Sequence, residues 1–282
     1  MSRKILLCSG LIAFFALSLV CGPVTSGYAK TEFKDEQVPK SVKEDLKKSL
    51  AKVDRDQEHA LIEQLKKAGA SYFPELTAPA QKAPSLHDPE IQREMVGVYL
   101  ADMCYAFVFD KNKDSLKYAE AIDSLLTRLG HNNPKVVAQY KKTLKDFEGP
   151  AAKRAFRELE KTVEQSLTEI INTRGGLDLA VDATYGWLIE NLYLIGEIAA
   201  QKNYDPKFMA FLTQQKKPVL EFIGVLDTFK KVPEFAKIVE RDERVAFLQG
   251  IAGKLKATGK IGKADVEAIR GSIVKARAAI VR

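Results

Sequence analysis

The stretch "YGWLIENLYLIGEIAAQKNYDP", Tyr185 to Pro206, decides the fold and holds the chain's single tryptophan. Its apolar residues fall at helical spacing. Tyr185, Leu188, Leu192, Ile195 and Ala199 form one face, and Ala180, Trp187, Leu194 and Ile198 form another with Asn191 set into it. Asp178, Asp182, Gly186, Tyr193, Glu197 and Gln201 leave only a narrow polar edge. A helix apolar around most of its circumference is enclosed by neighbours. The stretch therefore predicts a central helix, from about Leu177 to Lys202.

Working outward, three-and-four spacing recurs from Val42 to Val281 and alternating runs are nearly absent, which predicts an all-α chain. Ser41-x-x-Glu44 reads as a capping box before a helix bearing Val42, Leu46, Leu50 and Val53, and a second helical stretch, Ala60 to Ala68, stops at Gly69. Between Tyr72 and Pro89, "YFPELTAPAQKAPSLHDP" carries four of the eleven prolines; each lacks a donor and restrains its predecessor, so this is a crossover or linker and not a continuous helix. His87-Asp88-Pro89 opens a helix from about Glu90 to Phe109, and Ser115 to Leu129 forms the next, ended by Gly130. Helices are expected at 134–147 and at 151–173. After the central helix, Asp205-Pro206 caps another, Pro218 kinks or divides the segment 207–229, and two more run from about Pro233 to Ala257 and Ala264 to Val281. Two segments, from Tyr99 and from Trp187, each read apolar helix, Lys-Asn-x-Asp turn, amphipathic helix. They lie nearly 90 residues apart, so the expectation is a helical bundle or short stack of helical hairpins, tetratricopeptide-like only loosely.

The N-terminus, "MSRKILLCSGLIAFFALSLVCGPVTSGYAK", has two cations, an apolar run and then small residues, the order of a secretory signal with cleavage after Ala29. The apolar run of about 16 residues is short of the roughly 20 that span a bilayer. Leu19-Val20 before Cys21 argues against lipid attachment there. The expected organisation is a signal peptide over 1–29, a charged helical region over 30–70, the proline-rich crossover over 71–89, and a main helical domain over 90–282. Cleavage leaves Cys104 as the mature chain's one cysteine, so the expected periplasmic or secreted protein holds no internal disulfide.

The formal charge of +7 is concentrated at the C-terminus, where residues 230–282 hold 13 Lys and Arg against 6 Asp and Glu. Export argues against nucleic acid as a partner. Anionic lipid or an acidic polymer is the functional alternative to a solvated helix face, with Val266, Ile269, Ile273 and Ile280 opposing Arg270, Lys275, Arg277 and Arg282 as in a membrane-surface helix.

Chemical signatures are sparse. None of the three histidines, His59, His87 and His131, follows a glutamate by three positions, as a diiron bundle requires, and no Cys/His cluster suits zinc. "KLKATGKIGKAD" has the glycine of a calcium loop, but Lys254 and Lys256 stand where carboxylates are needed. No metal or cofactor is expected. No serine elbow or phosphate-binding glycine loop occurs, and Cys104 sits in an apolar run where thiols usually pack.

The informative residues are polar ones inside apolar helices. Asp102 shares a face with Val98, Tyr105 and Phe109, where an unanswered carboxylate costs several kcal/mol. Were the two apolar helices neighbours, Tyr99, Asp102 and Tyr105 would meet Trp187, Glu190, Asn191 and Tyr193 in a cleft with a few convergent polar groups. Helix-to-helix hydrogen bonding is the structural alternative.

"LIEQLKKAGASYFPEL", "GVYLADMCYAFVFDKNKDSLKYAEAIDSLLTRLG", "GWLIENLYLIGEIA" and "IRGSIVKAR", in that order, resemble a family of uncharacterised exported helical proteins of Gram-negative bacteria. Gly97, Tyr99, Asp102, Tyr105, Gly186, Trp187, Glu190 and Tyr193 carry the two most distinctive motifs. The resemblance implies an all-helical envelope protein and supplies no catalytic residues; the lipid-attachment cysteine of many members has no counterpart here. The expected function is a non-catalytic periplasmic module that binds an envelope protein or small ligand. The alternatives are a hydrolase-like enzyme using paired carboxylates such as Asp102 and Glu190, about 5 to 9 Å apart as in glycosidases, and a protein attached peripherally to an anionic membrane through its C-terminal helix.

Overall fold

The computed structural model of the protein describes residues 39–52, 55–131, 175–231, 243–255 and 261–281. The expected signal peptide, the helices expected at 134–147 and 151–173, the first part of the helix expected at 233–257 and the turn of the rejected calcium loop lie outside them. Among the described residues the fold is all-α, with nine α-helices and no strand. The helices are α1 Lys40–Lys52, α2 Arg55–Lys67, α3 Pro89–Val108, α4 Asn112–Arg128, α5 Gly176–Gln201, α6 Pro206–Gln214, α7 Lys216–Phe229, α8 Glu243–Lys254 and α9 Lys263–Ile280.

Several boundaries have visible causes. The Asp88 carboxylate accepts from the Glu90 N–H and Pro89 occupies the first helical position of α3; Asp205 and Pro206 repeat the device at α6, with Lys207 as donor. Gly69 and Gly130 end α2 and α4 at φ +93° and +75°, a region that costs other residues strain. Pro218 lies in the first turn of α7, and the chain divides just before it, at Gln215. The capping-box expectation needs correction: α1 already begins at Lys40, so Ser41 lies inside its first turn, and the Pro39 carbonyl accepts from the Val42 and Lys43 N–H groups.

The chain divides into two compact units. Of the described residues, one contains 55–63, 72–131 and 175–187 and the other 39–52, 64–71, 188–231, 243–255 and 261–281, so the long helix α5 gives its first half to one and its second half to the other. In the second unit α7 packs against α1 and α8, and α9 against α6 and α8. Leu212, Val219, Phe222, Leu248, Val266 and Ile269 are fully buried there.

The first unit is built on the antiparallel hairpin of α3 and α4, with the start of α5 crossing α3 at backbone contact. A Cβ added to Gly97 would lie 2.0 Å from the Ala183 carbonyl oxygen and 2.5 Å from the Trp187 nitrogen, and one added to Gly186 would lie 2.0 Å from the Glu94 carbonyl oxygen. Only two facing glycines permit this approach. One turn away from each glycine, Arg93 Nε donates to Asp182 Oδ2 at 2.6 Å. Burial acts against the charge on Arg93, but the neighbouring Asp182 carboxylate prevails and holds the guanidinium above its ordinary pKa.

Because backbone is the obstacle at both glycines, Gly97→Ala and Gly186→Ala are each expected to lower the stability of the protein by about 3 kcal/mol. Gly224→Ala in α7, where a Cβ meets nothing within 4 Å, is expected to be neutral or to gain about 0.5–1 kcal/mol. Urea denaturation of the three variants checks both directions.

Candidate functional site

Residues 72–86 form an ordered strap, with short 3-10 turns at Pro74–Leu76 and Ala80–Ser85, in the groove of the α3–α4 hairpin. Along α3 the partners of the strap run backwards. The Phe73 N–H donates to the Tyr105 hydroxyl at 2.9 Å, the Ala78 N–H to Asp102 Oδ2 at 2.8 Å, the Tyr99 hydroxyl to the Pro79 carbonyl at 3.1 Å, and Gln92 Nε2 to the Leu86 carbonyl at 2.8 Å. Along α4 they run forwards. Tyr72 donates to Asp114, Tyr118 to Thr77 Oγ1 at 2.6 Å, and Arg128 to the carbonyls of Ala83, Pro84 and Leu86. The strap is thus antiparallel to α3 and parallel to α4.

Asp102 is wholly buried, and its location explains its neighbours. Burial, reinforced by the Asp102 charge, raises the hydroxyl pKa values of Tyr99 and Tyr118. Tyr105 is also raised by burial, against the lowering effect of the Phe73 N–H bond. The Tyr72 ring lies 5.0 Å from that of Tyr105 at a tilt of 36°, and Tyr105 meets Phe109 edge-on, so the upper end of the groove is aromatic.

Glu190, Asn191 and Tyr193 belong to the second unit. Glu190 is 0% exposed, and both of its oxygens accept from Arg277, at 2.6 and 2.8 Å. The Arg277 guanidinium also lies 4.0 Å from the centroid of the Tyr193 ring. Two turns along each helix, Arg270 makes a second two-pronged pair with Glu197, at 2.6 and 3.0 Å. That hydrogen bond is the main reason the Arg270 pKa is raised.

The expected site residues therefore divide between two sets of partners. Tyr99, Asp102 and Tyr105 hold the strap, Trp187 is 3% exposed beside the glycine crossing, and Glu190 and Tyr193 engage Arg277; Asn191 is buried. Gln92 and Arg128 were missed because they bond to backbone, which leaves no side-chain partner to search for, and Tyr118 because its partner, the Thr77 hydroxyl, is 41 residues away. Arg270 and Arg277, read from the sequence as a solvent face, pair with carboxylates on α5; the shared seven-residue spacing of Glu190/Glu197 and Arg270/Arg277 is the signal that reveals it. Val266, Ile269, Ile273 and Ile280 are buried within the second unit, so membrane attachment through them would require α9 to leave its place. No helix among the described residues is long and apolar enough to cross a membrane.

Comparison of the chain with protein-family models, curated proteins and solved structures finds no match.

Two outcomes follow from the burial. Arg277→Met strands the Glu190 charge and is expected to cost about 3–5 kcal/mol, whereas Arg277→Met with Glu190→Leu recovers most of that loss in urea denaturation. For Tyr99, Tyr105 and Tyr118 the folded pKa lies above the unfolded value near 10, so the folded state retains protons that the unfolded state releases. Their contribution is complete below pH about 10 and is lost as pH rises beyond it. An alkaline titration followed by tyrosinate absorbance is expected to show these groups ionising together with loss of helical circular dichroism.

Proposed function

We propose that this protein is a non-catalytic binding module of the cell envelope, exported by its N-terminal segment, whose partner is an envelope protein or a small ligand. The observation that carries this reading is how the two carboxylates are engaged. Asp102 accepts a backbone N–H of the strap, and Glu190 has both oxygens on one guanidinium. A general acid or base needs an oxygen turned toward substrate and free to exchange a proton near the operating pH; here Asp102 Oδ2 and both Glu190 oxygens hold structure, and both carboxylates are wholly buried. Helical hairpins with grooves lined by tyrosines suit recognition, and the resemblance to exported helical proteins supports the address.

The test has two parts. Fractionation followed by N-terminal sequencing is expected to recover the mature chain from the periplasm beginning at Lys30. Crosslinking in intact envelopes is expected to recover one reproducible partner with the wild type, and neither the wild type nor the double variant Asp102→Asn/Glu190→Gln is expected to show hydrolytic turnover. A hydrolytic turnover that disappears in the double variant would favour the carboxylate-enzyme alternative. Retention of the uncleaved chain in the cytoplasm would remove the envelope assignment.

A further inference from the structure

Helix α7 presents one row of exposed residues, Lys217, Leu220, Gly224 and Asp227, spaced three, four and three apart. That is the a/d spacing of a coiled-coil seam, the row along which one helix meets another. The residues that hold α7 in the second unit, Val219, Phe222, Val225 and Leu226, are turned away from this row and buried. Leu220 is 48% exposed, the more open of the two large apolar side chains left exposed among the described residues; the other is Val274 on α9. Gly224, one turn on, has no atom within 4 Å of the place a Cβ would take. A glycine inside a helix costs stability relative to alanine. Gly97 and Gly186 have a reason for it in the contact of two backbones, whereas nothing within the chain requires Gly224.

The row is complementary to itself when turned end for end. Leu220 and Gly224 stand two residues either side of Phe222, and Lys217 and Asp227 stand five either side. Two copies of α7 laid antiparallel about a two-fold axis opposite Phe222 therefore bring Leu220 of each over Gly224 of the other, and Lys217 of each beside Asp227 of the other. The leucine fills the space that the missing side chain leaves, and every charge meets its opposite. A parallel pairing would set Lys217 against Lys217 and Asp227 against Asp227. Within the chain, Lys217 lies 3.7 Å from Glu221 and Asp227 lies 2.7 Å from Lys230. Surface pairs of this kind are weak and screened by water, so they do not oppose the exchange.

We infer that the outer row of α7 is a self-association surface, through which two copies of this chain form a two-fold dimer with their α7 helices antiparallel and Leu220 of each seated on Gly224 of the other. An isologous contact of this kind is the commonest way in which identical chains pair. A single helix row buries well under the roughly 1,200 Å² of a stable interface, so the dimer is weak and reversible. It is independent of the binding-module reading, which stands whether or not the dimer forms.

Analytical ultracentrifugation of the full mature chain, at concentrations up to about 1 mM so that a weak interface is populated, is expected to show a reversible monomer–dimer equilibrium. Leu220→Asp and Gly224→Gln are each expected to raise the dissociation constant about tenfold or more. Both positions are exposed and uncrowded, so helical circular dichroism and the urea midpoint stay at the wild-type level. Asp227→Lys, which sets lysine against lysine in both outer layers, is expected to weaken the dimer by a similar factor, and adding Lys217→Asp to it restores association because each reversed charge again meets its opposite. Val274→Asp, at the other exposed apolar residue, is expected to leave the equilibrium unchanged. A chain that stays monomeric throughout this range overturns the inference. So does a dimer insensitive to Leu220→Asp and Gly224→Gln, or one that Val274→Asp abolishes in their place.

Discussion

A carboxylate cut off from water must be given donors, and Asp102 obtains one from the main chain of a segment that cannot be one continuous helix. Its partner, the Ala78 N–H, is available because the proline-rich stretch cannot use it in a helical ladder. The prolines and the aspartate are thus two halves of one constraint. Prolines break residues 72–86 into short 3-10 turns and leave polar backbone groups needing partners, and α3 and α4 supply tyrosines, a glutamine, an arginine and the aspartate at the required heights. An N–H bonded to an ionised acceptor contributes more than a neutral pair, on the order of 1.5–3 kcal/mol. Asp102 is accordingly a strong fixture of the strap, alongside Arg128, whose guanidinium donates to the carbonyls of Ala83, Pro84 and Leu86.

The second unit uses the same economy of charge with different chemistry. Glu190 and Glu197 stand two turns apart on α5 and face Arg277 and Arg270 two turns apart on α9, with Tyr193 beneath one guanidinium. The planar fork of arginine satisfies both carboxylate oxygens at once, which a lysine does not do. The inner pair is the critical one, since Glu190 has no exposure and Arg277 little, whereas Arg270 is more than one-third exposed and water screens its interaction. Such pairs fix the register of α9 on α5 more than they add stability.

The elements that were legible in the sequence are those written in apolar spacing and caps. The run from Tyr185 gave α5 nearly to the residue, Asp88-Pro89 and Asp205-Pro206 gave two helix starts, and Gly69 and Gly130 gave two ends. Gly97 and Gly186 were noticed only as parts of motifs; their meaning, helix backbones in contact, requires knowing which helices cross. The site was legible by half. An aspartate in an apolar run announces that a donor must exist, but a backbone N–H from 24 residues away has no residue type, and so no pattern, by which to be recognised. Arg270 and Arg277 were misplaced because a basic edge on an amphipathic helix looks identical whether it faces water or a carboxylate.

The most direct measurement of the central claim is native-state hydrogen exchange at the Ala78 amide. Residues in proline-rich, non-helical chain ordinarily exchange fast, so a bond to a buried carboxylate should set this one apart. If Asp102 clamps the strap, the Ala78 N–H exchanges at least roughly a hundredfold more slowly than in the unfolded chain. Exchange at the unfolded rate, with the helices of α3 and α4 still protected, would contradict the account.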